Sequence, residues 1–380
     1  MSSVVYLDHA AATPLDERVL LAMQPYFSQN FYNPSALYGA ARETHKVLEA
    51  ARAQVAKVLG ARPSEITFTA GGTESDNLAI HGVMQQFPQS NIVTTAIEHD
   101  AVLASAGRYE HRTAPVTDDG VVDLTELKKL IDDETVLVSV MYANNEIGTI
   151  QPLTKVAQLL QTVRDARRQA GVDLPLYFHT DACQAGEYLD LHVSRLGVDL
   201  MTINGGKIYG PKQSGLLYVR GGMKLTPLID GGGQEHGLRS GTENVAACVG
   251  LATALTVAQE QRREEGRRVQ DLQRQFIKEL ADKVPAAIIR GSRKNRLPNN
   301  VHLTVPGADN ERLLIQLDEA GILAAAGSAC SASNDTPSHV LRAIGLTDDE
   351  ARASLRFTMG RTTSAEQVTA TVDTLARLVA

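Results

Sequence analysis

The chain has 380 residues, 43% of them apolar and 21% charged, and carries a formal net charge of −7 at pH 7. That length exceeds what one ordinary hydrophobic core serves, so two domains, or one large α/β domain with an appendage, are expected. The acidic balance argues against a broad nucleic-acid footprint, and no apolar run reaches the roughly 18 residues of a membrane span.

At the N-terminus, residues 1–6 show no charged region ahead of an apolar core, so no secretory signal is expected and the cytoplasm is the default location. Between about residues 66 and 220, short β-rich runs alternate with helical patterns. The runs are 66–69, 92–96, 136–141, 176–180, 199–203 and 215–219. Between them, segment 154–170 places Val156, Leu159, Leu160 and Val163 at helical spacing. This alternation predicts a mostly parallel sheet covered by helices, whose ligand sites gather beyond the C-terminal strand ends. Past residue 243 a long helical stretch, 243–280, is expected to be interrupted by the charge run 259–268 and by Gly266. The run reads as a solvated face and as a candidate passage between domains. Segments 286–290, 300–305, 311–320, 354–358 and 365–378 then read as a separate α+β layer.

Several polar motifs fall at the ends of these strands. Gly71-Gly72-Thr73-Glu74 follows the first run and opens a helix, whose unpaired N–H groups suit a phosphate; a plain capping turn explains it equally well. Glu98-His99, Asn144-Asn145 and His179-Thr180-Asp181 end three further strands. A buried Asp181 needs a cation or hydrogen bonds to offset its desolvation, and a cofactor with a protonated ring nitrogen would supply one. In Asn204-Gly205-Gly206-Lys207 the glycines strip side chains from around a single amine. A lysine desolvated in this way is a nucleophile toward a carbonyl. An amine, a buried acid and a phosphate-friendly turn together point to pyridoxal phosphate. The three cysteines, Cys183, Cys248 and Cys330, are too scattered for a disulfide framework. Cys183 and Cys248 read as small buried hydrophobes, whereas Cys330 sits in a small, polar stretch headed by Gly327 that reads as a mobile exposed loop.

Read together, GGTESDN, EHDAV, ANNEIGTIQP, HTDACQ, KIYGPK, RSGTENVA and GSACSAS resemble the group I cysteine desulfurases of the class V aminotransferase family, in that family's order and spacing. The likeness runs from Tyr6-Leu7-Asp8-His9 to Arg361. It implies the pyridoxal-phosphate-dependent transferase fold, with a mostly parallel seven-stranded sheet in a large domain (15–260) and a smaller α+β domain (1–14 and 261–380). It further implies that Lys207 binds pyridoxal phosphate as a Schiff base, that His99 stacks on the ring and assists proton transfer, and that Asp181 pairs with the ring nitrogen. Asn145 and Gln184 would contact the phenolic oxygen region. Gly72, Thr73, Asn204 and Gly206 would border the cofactor, and Thr242 would reach the phosphate of a second subunit in a homodimer. Arg356 would grip the carboxylate of L-cysteine, with Asn33 nearby. Cys330, as its thiolate, would take the sulfur as a persulfide, release alanine and pass the sulfur to an acceptor protein.

The chain departs from this pattern in three places. Gly206 and Asn204 stand where histidine and serine usually precede the lysine and help hold phosphate, so weaker cofactor retention is expected. His236 stands where arginine is common. The chain also stops at Ala380, without the C-terminal tail by which some relatives dock a cluster scaffold. The resemblance implies an acceptor in iron–sulfur cluster assembly, tRNA thiolation or DNA phosphorothioation, since each would take persulfide from the same Cys330 loop. A selenocysteine lyase is the nearest rival reading, and a catalytically silent partner of the same fold the more distant one.

Overall fold

The computed structural model describes residues 4–327 and 337–380. In chain order its strands are β1 (Val5–Tyr6), β2 (Ile66–Thr69), β3 (Asn91–Thr95), β4 (Glu110–Ala114), β5 (Thr135–Ser139) and β6 (Tyr177–Asp181). There follow β7 (Leu200–Asn204), β8 (Gly215–Val219), β9 (Ile288–Ile289), β10 (Asn300–Thr304), β11 (Ile322–Leu323) and β12 (Ser354–Thr358).

Seven strands form the central sheet in the order β2-β8-β7-β6-β5-β3-β4. Only β8 runs against its neighbours β7 and β2; the remaining pairs are parallel. Six strands therefore point the same way, and their C-terminal ends share one edge. Strands such as β5 (Thr-Val-Leu-Val-Ser) are buried throughout because helices cover both faces of the sheet. This is the mostly parallel seven-stranded sheet that the family resemblance implies, six of whose strands the β-rich runs marked. One member, β4, was not expected. Its Glu-His-Arg-Thr-Ala sequence carries no apolar run, because it lies at the sheet edge with most of its side chains exposed or half-exposed.

A second, three-stranded antiparallel sheet has the order β12-β10-β9, and β1 pairs in parallel with β11. One apolar cluster gathers residues from Val19 to Ala258 around the large sheet. Another gathers Leu7 with residues from Val269 to Leu375 around the small sheet. The helix Val245–Lys283 belongs to both clusters and runs unbroken for 39 residues. The interruption expected at the charge run does not occur. Burial of Leu251, Leu255 and Ala258 at one end and of Val269, Leu272 and Phe276 at the other anchors the helix on both sides of the charged span. Against that anchoring, the roughly 1 kcal/mol cost of Gly266 is too small to break it. No helix among the described residues is long and apolar enough to cross a membrane.

Candidate active site

A cavity of about 210 Å3 opens where β2, β3, β5, β6 and β7 end. Gly72 and Thr73 reach it from the segment after β2, His99 from that after β3 and Asn145 from that after β5. Asp181 is the last residue of β6, Gln184 follows it, and Asn204 and Lys207 end β7 and the turn beyond. Arg356 enters from β12 of the small sheet. Nine of the residues singled out in the sequence thus line one space. Gly206 lines an adjoining hollow of about 450 Å3, shared with Thr73, Lys207 and Lys212. Thr242 is exposed and lines a different hollow, of about 220 Å3. Asn33 lies on an exposed turn, where its side-chain oxygen accepts from the Ser35 N–H at 2.9 Å. Cys330 lies outside the described residues.

Lys207 sits in a short 3-10 turn, Gly205–Lys207, that the Asn204 side chain caps by accepting from the Gly206 N–H at 2.9 Å. Gly205 is required there, because a Cβ would lie 2.2 Å from Ser214 Oγ. The amine donates to the carbonyls of Ala10 at 2.8 Å and Ala11 at 2.5 Å. The bare amine expected among glycines is in fact held by backbone from the other end of the chain. Gln184 Nε2 donates to the same Ala10 carbonyl at 3.0 Å.

Asp181 is 6% exposed and accepts from the Cys183 N–H at 2.8 Å. Behind it, His179 is fully buried, with its ring nitrogens 2.8 Å from Ser139 Oγ and 3.1 Å from Thr202 Oγ1. Burial lowers the His179 pKa to about 4, so the ring is neutral near pH 7. Asp76 is also buried, and burial together with the nearby Asp181 carboxyl pushes its pKa well above the ordinary carboxylate value. Glu98 ties two strand ends together, accepting from Thr95 Oγ1 at 2.6 Å and the Met141 N–H at 2.8 Å. Its burial raises its pKa to about 8. The next residue, His99, caps the helix Asp100–Ala106: its Nδ1 accepts from the Ala101 N–H at 3.1 Å, which in the neutral ring leaves the proton on Nε2.

The helix Gly72–Met84 starts from Gly71, at φ 145°, with no side chain capping its first N–H groups. A Cβ on Gly72 would lie 2.6 Å from Cys183 Sγ, so backbone and thiol pack where a side chain has no room. Arg356 is 1% exposed and donates from one terminal nitrogen to the Asn145 carbonyl at 3.0 Å and from the other to Asp8 Oδ1 at 2.7 Å.

An amine, a buried carboxylate, an uncapped helix start and an arginine fork around one cavity coincide with the reach of a family model. That model, described as aminotransferase class-V, matches residues 5–371. The chain belongs to the class-V aminotransferase family. A protein named cysteine desulfurase IscS, from Dictyoglomus turgidum (strain DSM 6724 / Z-1310), is 41% identical over 386 residues, covering 100% of this chain and 95% of its own. A solved structure named NifS-like protein superposes with a TM-score of 0.90 at 34% identity, over 99% of each chain. Another, named SspA in complex with cysteine, superposes at 0.81 with 33% identity, over 93% of this chain and 98% of that one.

Within this class-V site, sequence reasoning passed over Asp8, Ala10, Ala11, Asp76 and Lys212. Asp76 carried a usable signal: it stands four residues after Gly72, on the same helix face. Cys183, read as a core hydrophobe, instead lines the cavity, and burial raises its thiol pKa well above the usual value, which favours the protonated form. Ala10 and Ala11 act only through their carbonyls, which no side-chain motif discloses.

Proposed function

We propose that this chain is a cysteine desulfurase that uses pyridoxal phosphate to convert L-cysteine to L-alanine, with the sulfur left as a persulfide on Cys330. The observation that carries the reading is the convergence of Lys207, Asp181 and Arg356 on one cavity at the C-terminal edge of the sheet. The residues fit the cofactor. Lys207 is an amine beside a carboxylate-lined space, Asp181 is a buried acid that suits a ring N–H⁺, and the Gly71–Thr73 helix start suits a phosphate. When bound, the cofactor supplies a ring that withdraws electrons from the substrate's α-carbon.

The chain's own groups do the rest. Arg356 offers its planar fork to the substrate carboxylate. Lys207 Nζ, once it lets go of the Ala10 and Ala11 carbonyls, takes the α-proton, and His99 Nε2 holds a proton on the lining of the same cavity. The Cys330 thiolate attacks the substrate sulfur: an S–S bond forms, the substrate C–S bond breaks, and alanine leaves. Cysteine and a thiol thereby become alanine and a persulfide, with no outside oxidant. Exposed Thr242 is proposed to face the phosphate of a second subunit in a homodimer. We also assign residues 15–260 to a cofactor-binding domain and 1–14 with 261–380 to a small one, a division supported by the two separate apolar clusters.

Two substitutions test this reading. Lys207→Ala removes the long-wavelength absorbance of the loaded protein, and Cys330→Ala stops sulfide release while the cofactor still responds spectrally to cysteine. Full turnover in Cys330→Ala, or an unchanged band in Lys207→Ala, overturns it.

A further inference from the structure

Arg356 is nearly buried, and a buried guanidinium needs partners that fix both its charge and its plane. One terminal nitrogen is held by the Asn145 carbonyl and the other by Asp8, while Nε has no hydrogen-bond partner among the described residues. Asp8 is itself anchored to the strand that carries the arginine. It forms a bridge with Thr358, two residues along β12. The Ala10 N–H donates to Thr358 Oγ1 at 2.9 Å, and the Tyr6 hydroxyl donates to the Asp8 carbonyl at 2.8 Å. Pairing of β1 with β11 fixes the chain just before it.

We infer that Asp8 is the positioning residue of the carboxylate grip, clamping the Arg356 fork from one side while the Asn145 carbonyl clamps it from the other. A planar fork held at two points cannot rotate, so its remaining N–H groups keep one direction for an incoming carboxylate. Asp8 touches the arginine and not the reacting atoms, so its effect falls on carboxylate binding. The inference rests on the proposed role of Arg356.

The test uses the cofactor-loaded protein. Asp8→Ala is expected to raise KM for L-cysteine about tenfold and to change kcat less, because a charged hydrogen bond that orients the fork is lost. Asp8→Asn keeps an acceptor oxygen at the same place and is expected to recover most of the loss. Inhibition by cysteamine, which is cysteine without its carboxylate, should be equal in the parent and Asp8→Ala. A KM within twofold of the parent in Asp8→Ala overturns the inference, as does a parallel weakening of cysteamine inhibition or an equal loss in Asp8→Asn. Arg356→Ala separates the two levels: if it raises KM while Asp8→Ala does not, only the role of Asp8 fails; if it leaves KM unchanged, the grip itself fails.

Discussion

Replacing Gly206 with histidine should tighten cofactor binding. The resemblance to the cysteine desulfurases implies a histidine before the lysine that helps hold the phosphate, whereas here the position has no side chain. The structure has room for one. A Cβ on Gly206 would lie 3.4 Å from Asn204 Oδ1 and 3.5 Å from Lys212 Cδ, which are ordinary contacts, and the position does not require a positive φ. The Gly206 N–H bond to Asn204 uses backbone only and survives the change. The new side chain would enter the hollow of about 450 Å3 that Thr73 and Lys212 also line. A hydrogen bond to a charged group contributes about 1.5–3 kcal/mol. At about 1.4 kcal/mol per factor of ten, that is roughly a 10- to 150-fold lower Kd for pyridoxal phosphate. Both proteins are stripped of cofactor and titrated with pyridoxal phosphate and, separately, with pyridoxal, with binding followed by calorimetry. Gly206→His binding no tighter than the parent refutes the reasoning. So does an equal gain with pyridoxal, since the gain would then not come from the phosphate.

Arg52 and Glu235 form a buried bidentate pair at 2.6 and 2.9 Å, each with 3% side-chain exposure, and Glu235 also accepts from the Phe68 N–H on β2. Arg52→Ala leaves that carboxylate buried without its cation and should cost about 3–5 kcal/mol in urea denaturation; a loss under about 1 kcal/mol contradicts the account. Glu98 titrates at about 8 when folded against an ordinary 4.5, so the folded state binds its proton more tightly. Its stabilising contribution is complete below about pH 4.5 and is lost as pH rises toward 8. Glu98→Gln, which mimics the protonated acid and keeps an acceptor for Thr95 and Met141, should therefore gain in Tm relative to the parent across that window. Parallel melting curves from pH 5 to 8 would contradict the assignment.

The strand ends and their chemistry were legible in the sequence because each depends on residues close together in the chain. A β-rich run sets a strand, and the polar residues at or just beyond its end fall at the sheet edge, as with Asp181 at the end of β6 and Lys207 after β7. Strand β4 escaped notice because an edge strand need not be apolar. The long helix was misjudged because a local charge run and a glycine weigh less than two distant cores that hold its ends.

Composition, periodicity and motif order by themselves determined the α/β class, the shared edge of the sheet and the identity of the amine and the acid on it. Only the tertiary structure decided what holds those groups. Asp8 meets Arg356 across 348 residues, and the Ala10 carbonyl meets Lys207 across 197. Contacts at such separations arise because the segment after β1 bridges to β12 at Thr358 and also reaches Lys207 in the turn beyond β7. Local propensity has no hold on them, because their strength depends on which distant backbone arrives within hydrogen-bonding reach.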